Sequence, residues 1–280
     1  MTDTIDVAFL DSGTGGIPYM LDLKKKCPSL KTLYLGDTAN FPYGEKSREE
    51  ITACALDVVG KIIHRWNPKT IVIACNTISV TALEELRKTF SGTPFVGTVP
   101  AIRLACRITK NKKIGLLATN GTVNHPYTQK LMEDYASDCE VFCRGDPDLV
   151  AFIEHNYFKV NLDKRLAAVK PAVDYFASKG CDTIILGCTH FTHIAKEMSL
   201  VAGPDVNVID SRDGVSNQTI KVEELACAAI EAAGQSMVQG NSLENVKDQS
   251  FYVTELRNPG DEDEYKILCQ NYSIPWGGLF

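Results

Sequence analysis

The stretch TIVIACNTIS, residues 70–79, joins a run of aliphatic and β-branched residues to a cysteine, an asparagine and a threonine. A short apolar run of this kind is typical of a strand that is buried on both faces of a parallel sheet. The stretch TIILGCTHFT, residues 183–192, has the same design, with threonine first and cysteine sixth. One cysteine at the end of a buried strand is usually a core residue, but two in matching frames indicate a functional pair.

Strands and helices alternate around these two stretches. Apolar runs at residues 5–11 and 32–36 predict further strands, and the segments between the strands have helical periodicity. Ser47 and Glu50 form a capping box that predicts the start of a helix over residues 51–66. Because crossover helices cover both faces of such sheets, the sequence predicts an α/β fold with mainly parallel sheets flanked by helices.

The chain also contains an internal repeat. VAFLDSGTG at residues 7–15 aligns with IGLLATNGT at residues 114–122, an offset close to that between the two cysteines. We interpret this as a duplication of one α/β unit. The predicted first domain is formed by residues 1–97 and 212–280, and the predicted second domain by residues 98–211. We expect a pseudo-twofold axis to relate the domains and the active site to lie in the cleft between them.

The C-terminal residues have weaker patterns. SFYVTEL at residues 250–256 predicts an edge strand, and NPGDEDE at residues 258–264 predicts a turn. No element is predicted for SIPWGGLF at residues 273–280.

Composition excludes several classes of protein. The chain has 280 residues, of which 44% are hydrophobic, so it can build one large core or two ordinary ones. Its 29 basic and 35 acidic residues give a net charge of −6, and no basic stripe is present, which argues against nucleic acid as the principal partner. There is no basic leader and no run of 18 apolar residues, and the ten cysteines are scattered. These features favour a cytoplasmic protein with reduced thiols and no membrane partner.

Polar side chains follow four of the predicted strands. In a parallel sheet, ligands bind beyond the carboxyl ends of the strands, so these positions are candidate functional residues. They are Asp11 and Ser12, then Cys75, Asn76 and Thr77, then Thr119, and finally Cys188, Thr189 and His190. Under the expected pseudo-twofold relation, Cys75 and Cys188 would lie on opposite walls of one cleft.

Two thiols placed in this way suit inversion of an amino acid. Inversion at Cα requires one group to remove the proton and another to deliver a proton to the opposite face. A thiol, whose ordinary pKa is about 8.5, can do either once its surroundings tune it. Asp11 and His190 are the candidate tuning groups, and neighbouring hydroxyl, amide and backbone N–H groups can hold carboxylates without a metal.

Two other interpretations stay open at this point. Cys188-x-His190-x-x-His193 offers thiolate and imidazole groups that suit zinc, but no fourth ligand is apparent. DSGTGG at residues 11–16 could be only a capped glycine-rich turn, since it lacks the lysine of a P-loop and the full spacing of a dinucleotide-binding loop.

Five motifs occur in a fixed order along the chain. They are DSGTGG at 11–16, GDTANFPYG at 36–44, ACNT at 74–77, GCTH at 187–190 and VIDS at 208–211. In these motifs the chain resembles the bacterial glutamate racemases of the cofactor-independent aspartate/glutamate racemase superfamily. It departs from the family pattern at GTVPAI, residues 97–102, and at DSRDGV, residues 210–215; neither segment includes the thiol pair.

The resemblance implies a function and a set of roles. L- and D-glutamate would be interconverted by a two-thiol 1,1-proton transfer without pyridoxal phosphate, metal or any other cofactor, supplying D-glutamate for peptidoglycan and hence for cell-wall biogenesis and cell shape. Cys75 would take the proton from D-glutamate and Cys188 from L-glutamate. Asp11 and His190 would assist, with Glu154 as an additional catalytic carboxylate. The implied substrate-binding residues are Asp11, Ser12, Tyr43, Gly44, Asn76, Thr77, Thr119, Thr122, Thr189 and His190.

Further implications concern assembly and the alternatives. Members of the family assemble as dimers, so a homodimer is expected. The two-thiol signature is shared across the superfamily, which keeps aspartate or another small acid open as the substrate. A non-catalytic descendant that binds an acidic metabolite is a third hypothesis, although such a protein would be expected to have lost one of the thiols.

Overall fold

The computed structural model describes residues 5–232 and 246–280, and only the backbone of residues 226–232. The chain divides into two compact units, Met1–Thr98 with Arg212–Phe280, and Val99–Ser211. Each unit is an α/β structure with its own parallel sheet, which confirms the predicted fold class.

The first unit is built on a six-stranded sheet. With strands numbered in chain order, they are β1 (Val7–Asp11), β2 (Thr32–Gly36), β3 (Thr70–Ile73), β4 (Phe95–Gly97), β9 (Ser250–Val253) and β10 (Trp276–Leu279). Their order is β10-β9-β2-β1-β3-β4, and every neighbouring pair is parallel. All residues of β1, β2 and β3 are buried, as expected for strands that are covered on both faces.

Helices follow the strands of this sheet in sequence. They are α1 (Ile17–Lys26), α2 (Arg48–Trp66), α3 (Asn76–Thr89), α10 (Arg212–Ala232) and α11 (Asp261–Tyr272). The predicted capping box is confirmed at the start of α2. The Ser47 hydroxyl accepts from the Glu50 N–H at 3.3 Å, and the Glu50 carboxylate accepts from the Ser47 N–H at 2.8 Å.

The second unit repeats this plan with four strands. They are β5 (Lys113–Ala118), β6 (Glu140–Gly145), β7 (Thr183–Leu186) and β8 (Asn207–Ile209), in the order β6-β5-β7-β8 and all parallel. This order matches β2-β1-β3-β4 of the first unit, as expected of a duplicated sequence. The helices are α4 (Ile102–Ile108), α5 (Asn120–Val123), α6 (Pro126–Tyr135), α7 (Pro147–His155), α8 (Leu162–Ser178) and α9 (Ala195–Ala202), with a 3₁₀ helix over Thr189–Ile194.

The C-terminal residues differ from the prediction. β9 is not an edge strand, because it pairs with β2 on one side and with β10 on the other. The predicted turn over residues 258–264 ends at Gly260, and α11 begins at Asp261 with four acidic residues in its first turn, which the helix dipole favours. The unassigned segment at residues 273–280 contains β10, whose Gly277 lies where a Cβ would come 2.5 Å from the Tyr252 ring. Alternation could not reveal β10, since Gly277 is set by its contact with Tyr252 of β9 and Gly278 has a positive φ of 91°.

Over residues 5–232 and 246–280, no helix is both long enough and apolar enough to cross a lipid bilayer.

Candidate functional site

In the first unit, the candidate residues leave the carboxyl edge of the sheet side by side. β1 and β3 are neighbours in register, with Leu10 opposite Ile73, and the Ala74 N–H donates to the Leu10 carbonyl at 2.8 Å. Asp11 and Ser12 therefore emerge next to Cys75. Cys75 is the residue before the first turn of α3, and Asn76 and Thr77 open that helix.

Cys75 is linked to Asp11 through Ser12. The Cys75 thiol donates to the Ser12 hydroxyl, and Cys75 Sγ and Ser12 Oγ are 3.8 Å apart. Ser12 in turn donates to Asp11 Oδ1, from its N–H at 2.6 Å and from its hydroxyl at 3.2 Å. Cys75 is 5% exposed and Asp11 is fully buried, so these hydrogen bonds lie in a region of low dielectric. The arrangement can carry a proton from the thiol toward a carboxylate.

Several buried polar atoms at this edge have no hydrogen-bond partner within the described part of the chain. They are Asp11 Oδ2 and both amide atoms of Asn76, whose side chain is 3% exposed. Buried polar atoms in folded proteins are nearly always paired, because an unpaired one costs about 1–3 kcal/mol. Atoms of this kind beside a thiol are suited to contact a polar ligand.

Tyr43 is held by a residue that the sequence did not single out. Its hydroxyl donates to Asp37 Oδ2 at 2.5 Å, and the side chain is 1% exposed. Burial and the Asp37 charge raise the pKa of Tyr43 far above 10, so the phenol stays protonated. The hydroxyl proton of Tyr43 is used in the hydrogen bond to Asp37. A ligand can therefore contact the Tyr43 ring and the backbone of Tyr43 and Gly44. Asp37 could have been found from its place within the motif GDTANFPYG.

In the second unit, the corresponding residues also leave one edge together. β5 and β7 are neighbours, with Leu117 opposite Leu186, and the Gly187 N–H donates to the Leu117 carbonyl at 2.7 Å. Cys188 follows and precedes the 3₁₀ helix over Thr189–Ile194.

Cys188, His190 and Glu154 form a buried chain of contacts. The Cys188 Sγ is 3.8 Å from His190 Nδ1, and His190 Nε2 is 2.7 Å from Glu154 Oε2. The carboxylate comes from α7 and the other two residues from the end of β7, so packing of α7 on the 3₁₀ helix brings them together. His190 is 2% exposed and Glu154 8%. This is the geometry of a nucleophile or base whose partner is oriented by a third group.

The charge on His190 is set by these partners. Burial by itself lowers the pKa of His190, but the hydrogen bond to Cys188 and the hydrogen bond and charge of Glu154 outweigh it and raise the pKa well above 6.5. These partners therefore favour the charged form of His190 beside the Cys188 thiol.

Three threonines complete the predicted set in this unit. The Thr119 hydroxyl caps α5 by accepting from the Thr122 N–H at 3.1 Å, and the two hydroxyls are 3.0 Å apart. Thr122 and Thr189 are buried, while Thr119 is half-buried at the carboxyl end of β5. Among the residues that the structure describes, no three His, Cys, Asp or Glu side chains are grouped to hold a metal ion.

The chain is similar to known racemases. Residues 22–215 match the family model described as Asp/Glu/Hydantoin racemase. Glutamate racemase of Treponema pallidum (strain Nichols) is 35% identical over 272 residues, which cover 97% of this chain and 95% of that protein. Glutamate racemase of Photorhabdus laumondii is 38% identical over 215 residues, covering 76% and 74%. The crystal structure of Escherichia coli glutamate racemase in complex with L-glutamate and the activator UDP-MurNAc-ala matches with a TM-score of 0.79 and 27% identity, covering 98% and 97%.

Proposed function

The chain belongs to the Asp/Glu/hydantoin racemase family, and on that basis we propose that it is an isomerase that interconverts L- and D-glutamate by proton transfer at two thiols. The observation that carries the proposal is that each parallel sheet ends in one buried cysteine with a charged group attached by hydrogen bonds. Cys75 reaches Asp11 through Ser12, and Cys188 contacts His190.

The two thiols have opposite electrostatic surroundings. Cys188 lies beside the imidazole of His190, whose pKa is raised, and we assign this thiol the role of the base toward L-glutamate. Cys75 reaches the Asp11 carboxylate through Ser12, and we assign this thiol the role of the acid in the same direction. A two-base inversion requires one group in each state at the start of every turnover.

The proposed reaction keeps every proton accounted for. Starting from L-glutamate, the Cys188 thiolate takes the Cα proton, so the Cα–H bond breaks and an S–H bond forms. The carbanion then takes the proton of the Cys75 thiol on its opposite face and becomes D-glutamate, which leaves Cys188 protonated and Cys75 as the thiolate. Proton exchange with solvent returns both thiols to their starting states before the next L-glutamate reacts. The reverse reaction uses the same two steps in the opposite order, with Cys75 as the base.

The polar residues around the thiols fit the binding of an amino acid with two carboxylates. Two kinds of donor lie beside Cys75. They are the amide of Asn76, which has no hydrogen-bond partner among the described residues, and the first-turn N–H groups of α3. We assign the other positions implied by the family resemblance to substrate binding. They are Ser12, Tyr43, Gly44, Thr77, Thr119, Thr122 and Thr189. The product D-glutamate would enter peptidoglycan synthesis in the cytoplasm, and assembly as a homodimer remains part of the prediction.

To test this, purified, metal-free protein is incubated with L-glutamate in deuterated buffer. Optical rotation and the deuterium content at Cα are then followed together. We expect loss of rotation with deuterium entering at Cα and no added cofactor, and much slower turnover of L-aspartate. Cys75→Ala and Cys188→Ala should each slow racemisation by about 10²–10⁴-fold, the usual value of a positioned acid or base.

Matched controls are two buried cysteines outside the site. Cys269→Ala in α11 of the first unit and Cys181→Ala before β7 of the second unit remove similarly buried thiols. We expect both to keep nearly full activity. Substantial turnover by either Cys75→Ala or Cys188→Ala would refute the two-thiol mechanism, and faster turnover of L-aspartate would refute glutamate as the substrate.

A further inference from the structure

A second hydrogen bond joins the same two segments as the Glu154–His190 contact. Tyr157 begins the short 3₁₀ helix that follows α7, and its hydroxyl lies 2.9 Å from the His193 carbonyl oxygen. The two bonds are offset by three residues in both segments, since 154 pairs with 190 and 157 with 193. The segment after β7 is therefore attached to the α7 segment at two successive points.

The Tyr157 hydroxyl is a permanent donor. It also lies 2.9 Å from Glu197 Oε1, so its one hydrogen is shared between this carboxylate and the His193 carbonyl. Burial, and then the charge of Glu197, raise the pKa of Tyr157 to about 12. The phenol consequently keeps its proton through the neutral and mildly alkaline range.

Other contacts fix the ring itself. The Arg165 guanidinium stacks 4.2 Å from the ring centroid, and its Nε donates to the Tyr157 carbonyl at 2.9 Å. The Phe158 ring meets the Tyr157 ring edge-on, with centroids 4.9 Å apart. These contacts do not involve the hydroxyl, so removing only the oxygen leaves the ring in place.

We propose that Tyr157 is a positioning residue for the Cys188 half of the reaction, holding the 3₁₀ helix over Thr189–Ile194 so that His190 stays between Glu154 and Cys188. His190 and His193 belong to one turn of that helix, so a shift of the His193 carbonyl changes both His190 contacts. The inference rests on the proposed function and extends it to Tyr157, which belongs to none of the five family motifs.

The test uses Tyr157→Phe and primary isotope effects at Cα. Racemisation from 2-deuterated L-glutamate begins at Cys188, whereas racemisation from 2-deuterated D-glutamate begins at Cys75. If Tyr157 supports only the Cys188 half, its loss makes the Cys188 step more rate-limiting. The isotope effect should then rise when the reaction starts from L-glutamate and fall when it starts from D-glutamate. We expect kcat/KM to drop about tenfold in both directions, the value of one hydrogen bond of ordinary strength.

Two further variants make the result decisive. Tyr175→Phe removes a hydroxyl that donates to the Cys143 carbonyl at 3.3 Å in the same unit, and it should leave both isotope effects unchanged. Glu197→Gln keeps an oxygen acceptor and leaves the His193 bond intact, so its isotope effects should also stay near those of the unaltered chain.

Isotope effects in Tyr157→Phe that match those of the unaltered chain from both enantiomers, or the same pair of changes in Tyr175→Phe or Glu197→Gln, would overturn the positioning role. Failure of the unaltered chain to racemise glutamate would instead refute the proposed function. Circular dichroism and urea unfolding check that each variant is folded.

Discussion

At the scale of single residues, Gly16 is tightly enclosed beside the Asp11 carboxylate. A Cβ on Gly16 would lie 2.6 Å from the Ala74 Cβ, 2.9 Å from Asp11 Oδ2 and 3.0 Å from the Tyr34 hydroxyl. The Tyr34 hydroxyl also accepts from the Gly16 N–H and donates to the Gly13 carbonyl. Since Ala74 precedes Cys75, a side chain here would displace both the carboxylate and the thiol segment.

We therefore predict that Gly16→Ala lowers both activity and stability. Because the Ala74 Cβ is fixed to the backbone and cannot rotate away, the unfolding free energy should fall by about 1–3 kcal/mol. A displacement of a few tenths of an ångström at the reacting groups should reduce kcat/KM by about tenfold or more.

Urea unfolding and steady-state racemisation measure the two effects. Gly92→Ala is the control, since a Cβ there has no atom within 4 Å. Activity and stability of Gly16→Ala equal to those of Gly92→Ala would show that the turn can absorb a methyl group.

At the scale of elements, α10 places a buried carboxyl group near Thr70, at the amino end of β3. Cys75 follows the opposite end of the same strand. Glu223 is 4% exposed, and neither carboxylate oxygen has a hydrogen-bond partner among the described residues. Burial raises its pKa; the adjacent Thr70 hydroxyl and Lys69 oppose this effect, and the Asp6 charge adds to it. Ionisation of Glu223 is therefore costly in the folded chain.

This raised pKa predicts how stability depends on pH. A carboxyl whose folded pKa exceeds its unfolded value contributes stability that is fully present below about pH 4.5 and is lost as the pH rises through the folded pKa. Glutamine does not ionise, so Glu223→Gln does not lose stability as the pH rises. The unfolding free energy of the variant minus that of the unaltered chain should therefore be larger at pH 8 than at pH 4. A tenfold change in the ionisation constant of Glu223 on folding corresponds to about 1.4 kcal/mol of unfolding free energy.

Urea unfolding at pH 4, 6 and 8 measures this gain. Glu224→Gln is the matched control, because Glu224 is the next residue and is exposed. A pH-independent difference between Glu223→Gln and the unaltered chain would mean that Glu223 ionises freely in the folded state.

At the scale of the whole molecule, each of the two units has its own sheet and its own buried core. In the second unit, a Cβ on Gly115 of β5 would come 2.5 Å from the ring of Phe176, a fully buried residue of α8. In the first unit, Gly16 is comparably confined. The two glycines thus allow one unit to be weakened at a time.

We predict that Gly115→Ala and Gly16→Ala loosen different parts of the chain. Because a core defect mainly lowers the opening free energy of the cooperative unit that contains it, amide exchange should accelerate over residues 99–211 in Gly115→Ala. In Gly16→Ala the faster exchange should fall within residues 5–98 and 212–280. Hydrogen exchange read by mass spectrometry tests this, and uniform acceleration over both units in either variant would show that they unfold as one.

The local features of this molecule could be predicted from the sequence. The strand at residues 70–73, the helix beginning at Asn76 and the capping box at Ser47 depend on hydrophobic period and on hydrogen bonds between near neighbours. The same holds for the thiol that ends each buried strand, since strand ends are marked by a change from apolar to polar residues. These patterns were enough for the α/β class and for a list of candidate residues.

Only the tertiary structure decided which of those residues meet. The Ser12 hydroxyl between Asp11 and Cys75, the Asp37 partner of Tyr43, and the Tyr157 bond to the His193 carbonyl join groups that lie on separate elements. The pairing of β10 with β9 is decided in the same way. The physical reason is that periodicity records which face of an element is buried, whereas a hydrogen bond between elements depends on how those faces pack, and many packings share one periodicity.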